Sequence, residues 1–253
     1  MTKITTAILS MVGLIALTSL AYAAGIEDTP HNLSSTGSST IKGSTNEVCI
    51  YCHTPHKADA AAPLWNRLDS GQSYTLYNST TFDATITQPS GVSKACLSCH
   101  DGTLGINQLV NRQGRGLGSN PANAGDDKIS NTTANNPVAF LDINLADDHP
   151  ISMDYTTAKS PGVNGAIGEN THSAGFRPHT TSGGKSFVDG NTVAGSAPTF
   201  PTLLPLYNGT LVQCASCHDP HQNTYSNTTG SESVAFLRVA NTNSQLCRTC
   251  HLK

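Results

Sequence analysis

Long hydrophobic runs are all but missing from this chain. The one present covers residues 7–20, with Lys3 before it and Ala21-Tyr22-Ala23 after it. It is shorter than the roughly 20 apolar residues that a bilayer-spanning helix needs. A charged start, an apolar middle and a small-residue end read as a secretory signal peptide over residues 1–23. The mature chain, residues 24–253, is then expected to have no membrane span and to be secreted to the outside or the outer cell surface, with the periplasm as the alternative. The first cysteine is Cys49, which disfavours lipid attachment at a processed N-terminal cysteine. Positive charge is thin as well. Without Lys3 there are 13 basic residues against 17 acidic ones and no basic cluster, so nucleic acid is not an expected partner. Aromatic residues make up 6 % and hydrophobic ones 37 %, much of the latter inside the leader, and Gly, Asn, Ser and Thr fill the remainder. A chain of this length ordinarily builds its core from apolar side chains. In this one something else has to supply it.

No cysteine stands alone. All eight lie in four five-residue words: Cys49-Ile50-Tyr51-Cys52-His53, Cys96-Leu97-Ser98-Cys99-His100, Cys214-Ala215-Ser216-Cys217-His218 and Cys247-Arg248-Thr249-Cys250-His251. Paired C-x-x-C words can clamp zinc, hold an iron–sulfur cluster or form disulfides, but none of these needs a histidine directly after the second cysteine. Covalent c-type haem does. Two thiols one helical turn apart add to its two vinyl groups, and the adjacent histidine reaches the iron. The four words therefore predict four c-type haems, with His53, His100, His218 and His251 as proximal ligands.

The second axial position takes His or Met or stays open. Met1 and Met11 leave with the leader, so Met153 could serve one haem at most. Six further histidines compete for four positions: His31, His56, His149, His172, His179 and His221. His56 and His221 occur in matching words, His53-Thr54-Pro55-His56 and His218-Asp219-Pro220-His221. A second histidine three residues on cannot circle its own haem, and proline turns the chain aside, so each is expected to ligate a neighbouring haem. His149 follows Asp147-Asp148, whose carboxylates could accept from the ring nitrogen facing away from iron. His31 lies early in the mature chain, where a terminus is loose unless tied down, and an iron bond would tie it. His31, His56, His149 and His221 are the expected distal ligands. His172 and His179, within the Gly-rich residues 160–196, read as exposed loop residues or reserves.

Both halves open with C-x-x-C-H-x-P-H and close roughly 30 to 45 residues later with a plain C-x-x-C-H, an internal repeat. Ala62-Pro63-Leu64-Trp65 follows the first word and Ala235-Phe236-Leu237-Arg238 the third, suggesting related local geometry, with Leu64, Trp65 and Phe236 as packing residues against haem edges. Residues 113–125 and 160–196 show no sustained period and read as loops. The expected fold is mostly irregular and loop-rich, with a few short α-helices and short strands, a multihaem cytochrome c wrapped around a chain of four haems. Helices are expected around 93–100 and 244–251 and a strand around 209–212. One domain covers 24–253, with one haem pair within 26–110, a loop-rich linker region over 111–200 and the second pair within 201–253.

The words through His56, Pro63-Leu64-Trp65-Asn66-Arg67, Cys99-His100-Asp101-Gly102-Thr103, Asp148-His149-Pro150-Ile151-Ser152 and Cys217-His218-Asp219-Pro220-His221 together resemble the doubled-CxxCH multihaem cytochromes of metal-reducing bacteria. The chain is similar in particular to the tetrahaem outer-surface cytochromes that polymerise into conductive filaments. That resemblance implies bis-histidine haems in an alternating stacked and perpendicular chain, subunits joined end to end, and one histidine, for which His31 is the candidate, donated to a haem of the adjacent subunit.

The expected function is non-enzymatic electron transfer, over long range as an extracellular filament subunit that exchanges electrons with redox partner proteins and external acceptors. A monomeric periplasmic shuttle is the alternative. A multihaem reductase is the third reading, and it needs one open haem iron, whereas spare histidines outnumber the open positions and no C-x-x-C-K word occurs.

Overall fold

Helix forms where the second and fourth cysteine words stand. The computed structural model describes residues 25–111, 128–132, 139–158, 175–190, 203–222, 236–239 and 241–252; the expected leader at 1–23 and His172 lie outside the described residues. Helix α1, Gly91–His100, carries the second word at its C-terminal end. Ser90 enters it in extended conformation, with its amide anchored 3.1 Å from Ser152 Oγ. One side of α1 buries Ser93, Ala95, Leu97 and Ser98. Helix α2, Cys214–Cys217, is a single turn made of the third word. Its entry is fixed by Gln213, whose amide donates to Ser216 Oγ at 3.0 Å, half of the reciprocal capping box that satisfies first-turn donors. Helix α3, Gln245–Cys250, carries the fourth word. The first word takes a 3-10 turn, Cys49–Tyr51.

Strands are short and antiparallel. Strand β1, Met153–Asp154, pairs with β5, Leu211–Val212, in the register Met153 to Val212, and β5 lies within the strand expected around 209–212. A second sheet has the order β2–β3–β4 with β2 His179–Ser182, β3 Lys185–Asp189 and β4 Leu203–Leu206. It corrects the expectation that 160–196 is loop throughout. A two-residue turn, Gly183-Gly184, joins β2 to β3 with φ of 58° and 74° at its two positions, the left-handed pair that a tight hairpin requires. His179 is corrected with it: the ring lies in β2 and is 7 % exposed, where an exposed loop residue was expected.

The apolar clusters are small. Met153, Tyr155, Ala158, Val188, Leu206 and Val212 join the two sheets; Ile41, Tyr51 and Ile106 pack beneath the first word; Tyr74, Leu97 and Leu145 pack beside the second. Met153 thus belongs to the apolar interior. Leu64, Trp65 and Phe236 join none of these clusters, and Leu64 is 54 % exposed.

The chain leaves α1 through Gly102, whose amide donates to Cys99 O at 3.1 Å with φ at +70°. A Cβ there would collide with the Phe140 ring and lie 2.7 Å from Ile129 O. Gly102→Ala combines left-handed strain with overpacking and is expected to cost about 2–4 kcal/mol. Denaturant unfolding of the purified protein checks this, and an unchanged midpoint would refute it.

Candidate functional site

Each cysteine word closes one helical turn. The histidine amide donates to the carbonyl of the first cysteine in three of them: His53 to Cys49 at 2.8 Å, His218 to Cys214 at 3.0 Å and His251 to Cys247 at 2.9 Å. The second word is the last turn of α1. At 3.6 residues per turn, cysteines three apart share a face. None of the eight thiols is in a disulfide. Burial first, and neighbouring cysteines second, push Cys52 and Cys250 up to about 12 and Cys217 up to about 11, so these stay thiols at neutral pH. Successive words are neighbours in space. Cys52 lies within electrostatic range of Cys99, the Cys96 and Cys214 thiols hydrogen-bond each other, and Cys250 interacts with Cys217.

The internal repeat is visible bond by bond. Leu64 and Phe236 both take positive φ, 57° and 69°. Thr54 N donates to Leu64 O at 2.8 Å as Asp219 N donates to Phe236 O at 2.7 Å. Asn66 N donates to Cys52 O at 2.9 Å as Arg238 N donates to Cys217 O at 2.8 Å. Side chains repeat the pattern: Asn66 Nδ2 reaches Ile50 O at 2.7 Å and Arg238 Nε reaches Ala215 O at 2.7 Å. His53 pairs with Trp65, and His218 with Leu237, in single antiparallel bridges. The second and fourth words are strapped instead by distant chain. Leu141 N donates to His100 O at 2.8 Å; Arg177 N donates to Cys250 O and Leu252 N to Gly175 O, both at 2.8 Å. Tyr155 Oη donates to Arg177 O at 2.8 Å and fixes the second strap.

Two pairs of histidine rings are neighbours, His53 with His221 nearly parallel at 20° and His31 with His100 edge-on at 65°. His53 and His221 have centroids 6.0 Å apart, and His31 and His100 6.1 Å. Trans axial imidazoles on one metal require about the same separation, because two metal–nitrogen bonds of about 2 Å and two half-rings of roughly 1 Å sum to about 6 Å. Three of the four rings bond backbone carbonyls, as metal-ligating histidines commonly do, while His221 is exposed with Nδ1 3.6 Å from Asp219 Oδ1. His100 Nδ1 lies 2.7 Å from Ala139 O, which selects the tautomer that leaves Nε2 its lone pair. His31 bonds the Pro220 carbonyl, and His53 those of Pro63 and Leu64. Burial, followed by the nearby His100 and His221 rings, lowers His31 to about 4, so it is neutral and able to donate at physiological pH. Burial also lowers His53 and His100. The cysteine words, with further imidazoles beside the first two, therefore fit covalent c-type haem.

Other expected ligands lie apart from these pairs. His56 is exposed, and so is His149, whose Nδ1 lies 3.1 Å from Pro150 O rather than on Asp147 or Asp148. His251 packs against Phe176 at 4.8 Å. Among the described residues no group of three or more His, Cys, Asp or Glu could hold a bare metal ion, and no helix is long and apolar enough to cross a membrane. Asn66 bonds the first word and Arg67 the second. The sequence pointed to them only as part of the word Pro63-Leu64-Trp65-Asn66-Arg67, and of the two only Asn66 has its counterpart in the repeat, Arg238.

The doubled CXXCH motif family matches residues 208–253, which contain the third and fourth words. No curated protein matches the chain. The family match supports multihaem c-type cytochrome chemistry, with covalently bound c-type haem and electron transfer.

Proposed function

We propose that the chain binds four c-type haems and conducts electrons through them, as the subunit of an extracellular filament for long-range transfer to external acceptors. The observation that carries this reading is the spacing of the two imidazole pairs, His53 with His221 and His31 with His100. When bound, each haem supplies a one-electron iron couple. The residues do the rest: eight thiols fix position, and helical turns aim the proximal histidines. Backbone carbonyls would set the ring tautomers, and His221 and His31 would hold the irons at the first and second words, leaving a substrate no place there. With histidine on both sides the potential is lower than with histidine and methionine, which suits low-potential acceptors. An enzyme reading needs an open iron, and the pairs work against it. The contact of Cys96 with Cys214 supports a path that runs from one half to the other. The filament habit is supported by the family resemblance and by the exposed His56 and His149.

Intact mass of the secreted protein is expected to show four haems, and electron paramagnetic resonance wholly low-spin iron. A high-spin signal in the fresh protein, or a spectral shift on adding carbon monoxide, would favour the reductase. Electron microscopy of native secreted material is expected to show filaments; uniform small particles would favour the monomeric shuttle.

A further inference from the structure

Among the described residues Arg67 is the largest wholly buried side chain, with 0 % exposure. Its Nε donates to Ser98 Oγ at 3.2 Å, Nη1 to Ile106 O at 3.0 Å, and Nη2 to Ser98 O at 3.2 Å and Gly105 O at 2.8 Å. Every acceptor is neutral. A guanidinium keeps its proton in any protein setting, and burying a cation without a carboxylate is costly. Two other cations among the described residues meet carboxylates. Arg238 meets the Asp219 carboxylate at 3.0 Å, and Lys94 meets Asp69 at 2.6 Å. Arg67 holds its charge beside the second cysteine word: Ser98 lies between Cys96 and Cys99, and the guanidinium is within electrostatic range of His100 and of Cys52. One carboxylate faces the same imidazole. Asp101 is buried, accepting from Tyr74 Oη at 2.8 Å, Thr103 N at 2.8 Å and Thr103 Oγ1 at 2.7 Å, and it too acts electrostatically on His100.

We propose that Arg67 sets the reduction potential of the haem held at Cys96, Cys99 and His100, raising it, with the Asp101 carboxylate acting on the same centre in the opposite sense. The inference rests on the haem-binding reading above. Reduction adds one electron and removes one positive charge from the iron, so a fixed cation nearby favours the reduced form and a fixed anion the oxidised form. In an interior of low effective dielectric such a charge acts more strongly than in water. The two halves share their backbone pattern and differ in this charge. At the position of Asn66 the second half carries Arg238, neutralised by Asp219, and the buried cation of the first half is one residue further on and unneutralised. Arg67 therefore makes the second haem a more favourable resting place for an electron than its own ligands alone would.

Spectroelectrochemical titration of the secreted holoprotein, after its haem content has been fixed by intact mass, tests this. Arg67→Met is expected to move one component to more negative potential and leave the others in place. Arg67→Lys, which keeps the charge, should stay near the parent protein. Asp101→Asn should move the same component to more positive potential. That component should be missing from the Cys96→Ala/Cys99→Ala protein. A merely structural role would not give shifts of opposite sign at one centre. If Arg67→Met loses haem, Asp101→Asn remains the readout, and the absence of a positive shift overturns the assignment. A parent protein without haem overturns both this assignment and the reading it rests on; four haems with unmoved potentials in all variants overturn the role of Arg67 alone.

Discussion

His221→Ala is expected to convert one haem to a high-spin form that binds carbon monoxide, and the haem affected should be the one attached at Cys49 and Cys52 rather than at Cys214 and Cys217. The expectation follows from the ring pair at 6.0 Å, which sets His221 of the third word against His53 of the first. Proline restricts the residue before it to extended conformations, so Asp219-Pro220 carries the chain away from the third word and delivers His221 to the other half. The same segment anchors a second pair, because the Pro220 carbonyl bonds His31, which faces His100. Alanine removes one axial ligand and leaves the covalent attachments intact, so the haem count holds while the spin state changes. A second variant assigns the haem. In a protein that also lacks Cys49 and Cys52, His221→Ala should produce no high-spin signal. His56→Ala alone, at an exposed ring, should leave the first haem low-spin. A high-spin haem that survives loss of Cys49 and Cys52 would place His221 on another iron.

The parts of this arrangement legible in the sequence are those fixed by covalent chemistry or by local period. C-x-x-C-H demands one helical turn, and each word forms one. Helices at the second and fourth words followed, because Ala95, Leu97 and Gln245 to Arg248 favour a helix once the word nucleates it. The repeat of the first and third words was visible as C-x-x-C-H-x-P-H. Its continuation through Leu64 and Phe236 is carried by backbone conformation at two unlike side chains, which composition does not encode. The hairpin of β2 and β3 was missed although a signal exists: Gly183-Gly184 stands between Thr180-Thr181-Ser182 and Lys185-Ser186-Phe187-Val188, a two-residue turn between runs of strand-favouring residues. Polar residues on β2 and the surrounding glycines hid it. Which histidine meets which was not legible at all, since His31 and His100 lie far apart in sequence and meet only through tertiary packing. Arg67 was opaque for a similar reason: its acceptors, Ser98, Gly105 and Ile106, lie more than thirty residues downstream.

A chain with all eight cysteines changed to serine is expected not to fold. Its described apolar clusters hold six, three and three buried residues, and they are separated by segments whose contacts are mainly hydrogen bonds between loops. Ordering each residue costs about 1–2 kcal/mol of backbone entropy, which scattered loop bonds, each worth roughly 1 kcal/mol net, do not offset. What remains to tie the halves is the set of cysteine words themselves. The first two words are joined through Asn66 and Arg67, the second and third through Ser93 Oγ, which accepts from Cys214 N at 2.9 Å, and the fourth through the strap at 175–177. These joints lie beside neighbouring thiols of successive words, so haems attached there, as proposed, would supply the missing interior, and their attachment would be the step that makes the joints cohere. For a mature chain of about 230 residues, small-angle scattering should give a radius of gyration near 17 Å for the dissociated single subunit and move toward about 52 Å for the serine variant. Far-ultraviolet circular dichroism should lose the signal of α1 and α3. A compact serine variant with a cooperative melt would show that the polypeptide folds by itself, and the haems would then be passengers in a finished scaffold rather than its core.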